Sequence, residues 1–224
     1  MEIEISGERA KLLWQKAVWL PQHKTLLVAD LHIGKINHFR KAGIPVPPKA
    51  NDRNTETLID LLNETKADRV IFLGDLFHSY YNEEWAVLGQ VLRHFSTCSF
   101  ELVRGNHDIM SQLQYQRHRI VVHEDRLQLG GLHLTHQPIL GQGGESNRET
   151  APGGLTGYNL AGHIHPGIRL TGRGRQSMTL PCFYFGKDAG ILPAFGSFTG
   201  LAILKPKVEA RIFVIADNKV QQIN

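Results

Sequence analysis

Residues 100–108 read FELVRGNHD and residues 158–165 read YNLAGHIH. Each begins as a short apolar run and ends in side chains that bind metals or carry protons. Three further stretches repeat the pattern: LLVAD at 26–30, with His32 two residues on, VIFLGD at 70–75, and LHLTH at 132–136. Runs this short and this rich in Val, Ile and Leu fit buried strands better than helices. Side chains at the ends of neighbouring strands meet at one edge of a core. The chain therefore converges Asp30, His32, Asp75, Asn106, His107, Asp108, His136, His163 and His165 on one place.

Outward from these runs, AKLLWQKAVWLPQHKTLLVAD reads as antiparallel strands turning at Pro21 to His23. Residues 34–48, GKINHFRKAGIPVPP, form an irregular basic excursion. Asn51 or Asp52 caps a helix whose inner face carries Leu58, Leu61 and Leu62. A second helix runs from Glu83 to Phe95 with Trp85, Leu88, Leu92 and Phe95 inward, and a short one covers Met110 to Gln116. From Arg119 onward the chain is mostly β. Between His136 and His163 lies a Gly-rich stretch, 141–157, which reads either as a plain loop or as a substrate gate.

The clustered residue types fit a dinuclear metal site. Asp30 and His32, two apart at a strand end, point the same way and can share one ion. Asp75, with two carboxylate oxygens, can bridge two. Asn106 supplies an amide oxygen, and His136, His163 and His165 supply ring nitrogens. Oxygen and nitrogen ligands without thiolates suit Mn²⁺, Fe²⁺ or Zn²⁺. Two such ions about 3.5–4 Å apart activate a hydroxide and neutralise phosphoryl oxygens. His107 is then the candidate acid for the leaving oxygen, and Asp108 the residue that orients its ring. A lone D-x-H or G-D arises by chance in many chains. Five such segments, in this order and each at a strand end, do not.

Length and composition leave room for this site and exclude others. At 224 residues, 42% hydrophobic and 21% charged, the chain suits one soluble globular domain over residues 1–224. No run nears the ~18 apolar residues of a membrane helix. MEIEISGERAK lacks a signal peptide's basic flank and apolar stretch, so a cytoplasmic protein is expected. Cys98 and Cys182, without metal-ligand spacing, read as free buried thiols. A formal charge of +4 favours an anionic substrate without choosing nucleic acid over a small phosphate ester.

The order D-x-H, GD, GNHD, H and GHxH resembles that of the calcineurin-like metallophosphoesterase superfamily. The resemblance spans roughly residues 24 to 204. It implies a two-sheet β-sandwich flanked by helices, an α/β fold with the metals at the sheet ends. It further implies that Asp30, His32, Asp75 and His165 hold one ion, and Asp75, Asn106, His136 and His163 the other. More narrowly, DLHIGKINHFRKAGIPVP, GDLFHS, RGNHD, LAGHIHP and LPAFGSFTG resemble the ligase-associated metallophosphoesterases of the PdeM type. That likeness implies a manganese-dependent endonuclease or phosphodiesterase grouped with a repair helicase, an exonuclease and an ATP-dependent DNA ligase. Single-stranded DNA is the expected substrate.

Two other function classes stand beside this one. A phosphatase acting on small-molecule or protein phosphomonoesters would use the same metals, and a non-catalytic adaptor would not need the intact ligand set. His23, His94, His118, His123 and His133 read as surface or sheet residues. His78, three residues past Asp75, reads either as a substrate contact or as support for a ligand. Lys35, Arg40, Lys41 and Arg104 read either as contacts to a phosphodiester backbone or as solvated basic side chains.

Overall fold

Leu26 and Val28 of TLLV turn to one side of their strand and Leu27 to the other. In RVIFL the same split sets Val70 and Phe72 against Ile71 and Leu73. Both faces are apolar because both are covered. The computed structural model describes residues 1–35, 50–78, 81–139, 157–172, 174 and 176–223. A seven-stranded sheet runs in chain order: β1 (Glu2–Ile5), β2 (Glu8–Leu13), β3 (Ala17–Leu20), β4 (Thr25–Val28), β5 (Arg69–Leu73), β6 (Ser99–Val103) and β7 (Ile120–His123). Its first four strands are antiparallel, with a 3-10 turn at Pro21–His23 before β4, and β4 to β7 are parallel.

The second sheet holds β8 (Arg126–Leu129), β9 (Leu132–Thr135), β10 (Tyr158–Ala161), β11 (Pro166–Thr171), β12 (Ser177–Phe185), β13 (Ala189–Ile191), β14 (Ala202–Ile203), β15 (Arg211–Ala216) and β16 (Lys219–Gln222). Across it the order is β14-β11-β12-β13-β10-β9-β8, with β15 paired to β12 and β16. Only β9, β10, β13 and the β11–β14 pair run parallel to a neighbour. Leu27, Ile71, Leu73 and Val103 of the first sheet pack on Leu132, Leu134, Leu160, Phe183, Phe185 and Phe213 of the second. On the far side of the first sheet lie α1 (Ala50–Thr65), α2 (Glu83–His94) and α3 (Gln112–Arg117), burying Leu58, Leu61, Leu62, Trp85, Leu88, Leu92 and Tyr115. This is the helix-flanked two-sheet sandwich that the family resemblance implied.

Several local readings shift. α1 starts at Ala50, so Asn51 and Asp52 lie inside its first turn rather than capping it. α2 is capped by Asn82, whose Oδ1 accepts from the backbone of Glu84 (2.9 Å) and Trp85 (3.4 Å). His118 is neither surface nor sheet. It follows α3, 8% exposed, with its ring 4.8 Å from that of Trp85, because Gly89 leaves room there. Cys98 and Cys182 are buried free thiols, and burial pushes them up to about 11 and about 12. No helix among the described residues is long and apolar enough to cross a membrane. Residues 36–48 of the basic excursion and 141–156 of the Gly-rich stretch lie outside the described residues.

Candidate metal centre

β4 stops at Val28, two residues before Asp30, so strand alternation does not aim Asp30 and His32. The chain instead runs on beside the segment after β5. Asp30 N–H donates to the Gly74 carbonyl (3.2 Å), His32 to Asp75 (2.9 Å) and Ile33 to Leu76 (3.1 Å). Asp30 (φ 53°), His32 (49°), Asp75 (49°), His163 (69°) and His165 (52°) all adopt left-handed backbone. Such conformations cost about 1–3 kcal/mol each in non-glycine residues. Elsewhere among the described residues, non-glycine positive φ is confined to turns and a helix end. Here it persists because the paired loops and surrounding sheets hold it, and it turns the five side chains inward.

Two groups result, and both sheets contribute to each. Asp30, His32 and His165 bring ligand-type atoms within 4.8 Å of one another, as do Asp75, His136 and His163. Asp75 lies between them, with Oδ2 3.8 Å from His32 Nε2 and Oδ1 3.5 Å from His136 Nε2. His32 Nε2 and His165 Nε2 face each other at 3.4 Å. His165 Nε2 is 3.7 Å from Asp30 Oδ1, a fully buried oxygen without a hydrogen-bond partner among the described residues. Lone pairs crowded this closely repel, and a divalent cation among them removes the conflict. The donors present therefore fit a pair of metal ions.

Close approach explains two glycines. A Cβ on Gly74, already at φ 78°, would strike the His136 ring, and one on Gly162 would meet Asp30 Oδ2 at 2.6 Å. Backbone groups complete the fixing. His163 N–H donates to Asp30 Oδ2 and His107 N–H to Asp75 Oδ1, both at 2.9 Å. His136 Nδ1 sits 3.0 Å from the Leu73 carbonyl, which sets Nδ1 as the protonated nitrogen and leaves Nε2 to face Asp75. Behind Asp30, Phe195 and Gly196 donate to the carbonyls of Ala29 (2.8 Å) and Asp30 (3.1 Å), while Asn54 accepts from Ser197. Burial, then nearby Lys35, lowers His32 to about 2, and burial also lowers His163. Neutral imidazoles are what a metal ligand requires.

The remaining site residues divide. Asn106 is exposed and lines the same groove as His136, and its Oδ1 accepts from Gln137 at 3.1 Å. The His107 ring is exposed, 5.6 Å from that of His32 and 3.9 Å from that of His78. His78 thus belongs to the imidazole cluster beside the first group. Asp108 does something other than orient His107. Its Oδ1 accepts from Leu76 (3.0 Å) and Phe77 (3.2 Å), its Oδ2 from Gly105 (2.8 Å), and burial pushes it up to about 7. It ties the loop after β6 to the loop after β5. Arg104 is likewise engaged, paired with Glu124 at 2.8 Å and donating to the Asp108 carbonyl at 3.0 Å. Lys35 is half-buried, and its pKa is lowered by that burial against the opposing pull of Asp75 and Asp30. Arg40 and Lys41 lie outside the described residues. Sequence reasoning missed Gln137 and the Leu73 carbonyl; Gln137, directly after His136, was the more findable of the two.

The sequence profile of the calcineurin-like phosphoesterases matches residues 23–165, and the chain belongs to that family. It is a hydrolase of phosphoester bonds. Across its whole length the chain is similar to a nuclease from Pseudomonas putida, MPE, with 29% identity, 99% of that chain covered and a TM-score of 0.80. Lower likenesses are found to Yfce, a phosphoesterase from E. coli (14% identity, 89% of this chain and 97% of that one, TM-score 0.45). A protein of unknown function from Aquifex aeolicus, AQ665, is similar at 18% identity over 63% of this chain and 78% of that one, with a TM-score of 0.45. No curated protein matches the chain.

Proposed function

We propose that the protein is a manganese-dependent phosphodiesterase that cuts single-stranded DNA internally. The observation that carries this reading is the full-length likeness to the Pseudomonas putida nuclease, with a TM-score of 0.80. Asp30, His32, Asp75 and His165 would hold one Mn²⁺, and Asp75, Asn106, His136 and His163 the other. When bound, the ions supply a nucleophilic hydroxide at neutral pH and neutralise the phosphoryl oxygens. The chain's own contribution is placement. Asp75 fixes the spacing between the groups, the Leu73 carbonyl holds the His136 tautomer, and the exposed His107 ring donates a proton to the leaving oxygen. Lys35 adds a cation beside the first group. The reading extends to one cytoplasmic domain working in DNA repair with a helicase, an exonuclease and an ATP-dependent DNA ligase.

A closed circular single strand tests the substrate, since it offers no end to an exonuclease or a monoesterase. Incubation with the Mn²⁺-loaded protein should yield linear products that vanish in Asp75→Ala and His107→Ala. Intact circles beside rapid phosphate release from monoesters would replace this reading with a phosphatase.

A further inference from the structure

Beside the second ligand group, where β7 turns into β8 at the joined edges of the two sheets, runs an open groove of about 800 Å³. Asn106 and His136 belong to its wall, so it opens directly from the candidate metals. A phosphomonoester has no second arm to put there. A diester does, and the groove's chemistry suits a nucleotide. Ile139 gives it an apolar wall, exposed Gln137 an amide that also donates to Asn106, and Arg126 an exposed guanidinium beside the carboxylates of Glu124 and Asp125.

Arg126 is the residue that decides what the groove takes. Of its two arginines, Arg104 is spent on Glu124 and the Asp108 carbonyl, whereas Arg126 makes no ion pair among the described residues. Arg126 is the Cα partner of Thr135 in the antiparallel β8–β9 ladder, one residue from His136. An arginine so placed, at a groove that begins at the reacting phosphate, matches the phosphate of the adjoining nucleotide, which a guanidinium grips bidentately. Resting on the phosphodiesterase reading above, we infer that this groove seats the nucleotide flanking the scissile bond and that Arg126 holds its phosphate.

The test compares a ten-residue oligo(dT) with bis(4-nitrophenyl) phosphate, a diester with no second phosphate, in the Mn²⁺-loaded full chain. Arg126→Ala should lower kcat/KM for oligo(dT) about tenfold more than for the small diester, the size of one lost charge-assisted hydrogen bond. The change should lie in KM, and Arg126→Lys should recover part of it. The slope of log KM for oligo(dT) against log salt should fall by about 0.7, one single-strand phosphate contact. Equal losses on the two substrates, or an unchanged salt slope, would overturn the assignment. A wild-type protein that hydrolyses the small diester yet leaves oligo(dT) uncut removes the nuclease reading alone. The groove then stands if oligo(dT) inhibits competitively with a Ki that Arg126→Ala raises about tenfold, and falls if it does not. Hydrolysis confined to monoesters removes both.

Discussion

Asp30 and Asp108 are equally hidden, at 0% and 2% exposure, and opposite in circumstance. Asp108 spends both oxygens on three backbone N–H groups. Asp30 gives one oxygen to His163 N–H and aims the other, without a hydrogen-bond partner, at His165 and His136. A buried carboxylate filled by its own backbone is a structural tie. One left open among imidazoles, at a cost in burying an unsatisfied charge, is a binding site. Burial alone does not separate the two; the occupancy of the lone pairs does.

Asp75, whose two oxygens face a ring in each ligand group, should give the largest effect. Asp75→Ala should cost about 10⁴-fold or more in turnover, because both ligand groups lose the same residue. Elemental analysis should fall from two Mn²⁺ per chain toward none; two retained ions would break the contrast. His107→Ala comes next. Its backbone N–H serves Asp75 and its ring serves no ligand, so both ions should stay while turnover drops ~10²–10⁴-fold. The drop should shrink on nitrophenyl esters, whose leaving oxygen needs little protonation, and a uniform drop would remove His107 as the acid.

A pair of isosteric changes sharpens the comparison in metal-free protein. Asp108→Asn must turn an NH₂ toward backbone donors and should cost about 2–3 kcal/mol in urea unfolding. Asp30→Asn can place its NH₂ where no donor points, and should leave metal-free stability unchanged or higher. Equal losses would mean that the two carboxylates do not differ in this way.

The smallest effect concerns a third kind, a carboxylate answered by side-chain donors. Burial opposes ionisation of Glu101 on β6, and the hydrogen bonds from Arg69 and His123 outweigh it, so its pKa lies below the ordinary value. A lowered acid pKa means stability that is present above the unfolded value, near 4.5, and is lost as pH falls through the folded one. Glu101→Gln should therefore remove about 1 kcal/mol at neutral pH and flatten the acid limb of the stability curve. Parallel acid limbs in the two proteins would count against it.

Much of this was legible in the chain. Apolar runs ending in Asp, Asn and His located the strand ends, since a buried strand must be apolar and a ligand at its end must be polar. The unbroken apolar run of Leu26, Leu27 and Val28 marked a strand covered on both faces. The left-handed backbone at Asp30 and His32 was not legible, because it is imposed by bonds to Gly74 and Asp75, more than forty residues away. Asp108 was misread for the same reason. GNHD does not reveal whether the carboxylate faces its neighbour's ring or the backbone of Leu76 and Phe77. Asn51 and Asp52 illustrate a smaller limit, that residues suited to a cap are tolerated one turn further in.

Each ligand group joins a carboxylate from a loop of the first sheet, with His32 beside Asp30, to at least one imidazole from loops of the second. An ion held by either group is therefore also a rivet through the sandwich, bound only while the two sheets keep their register. Occupancy and folding then become one equilibrium: at a hundred times the dissociation constant, a ligand confined to the folded state adds about 2.7 kcal/mol per site. Metal scarcity would be felt first as a protein that melts early, before any question of catalysis arises.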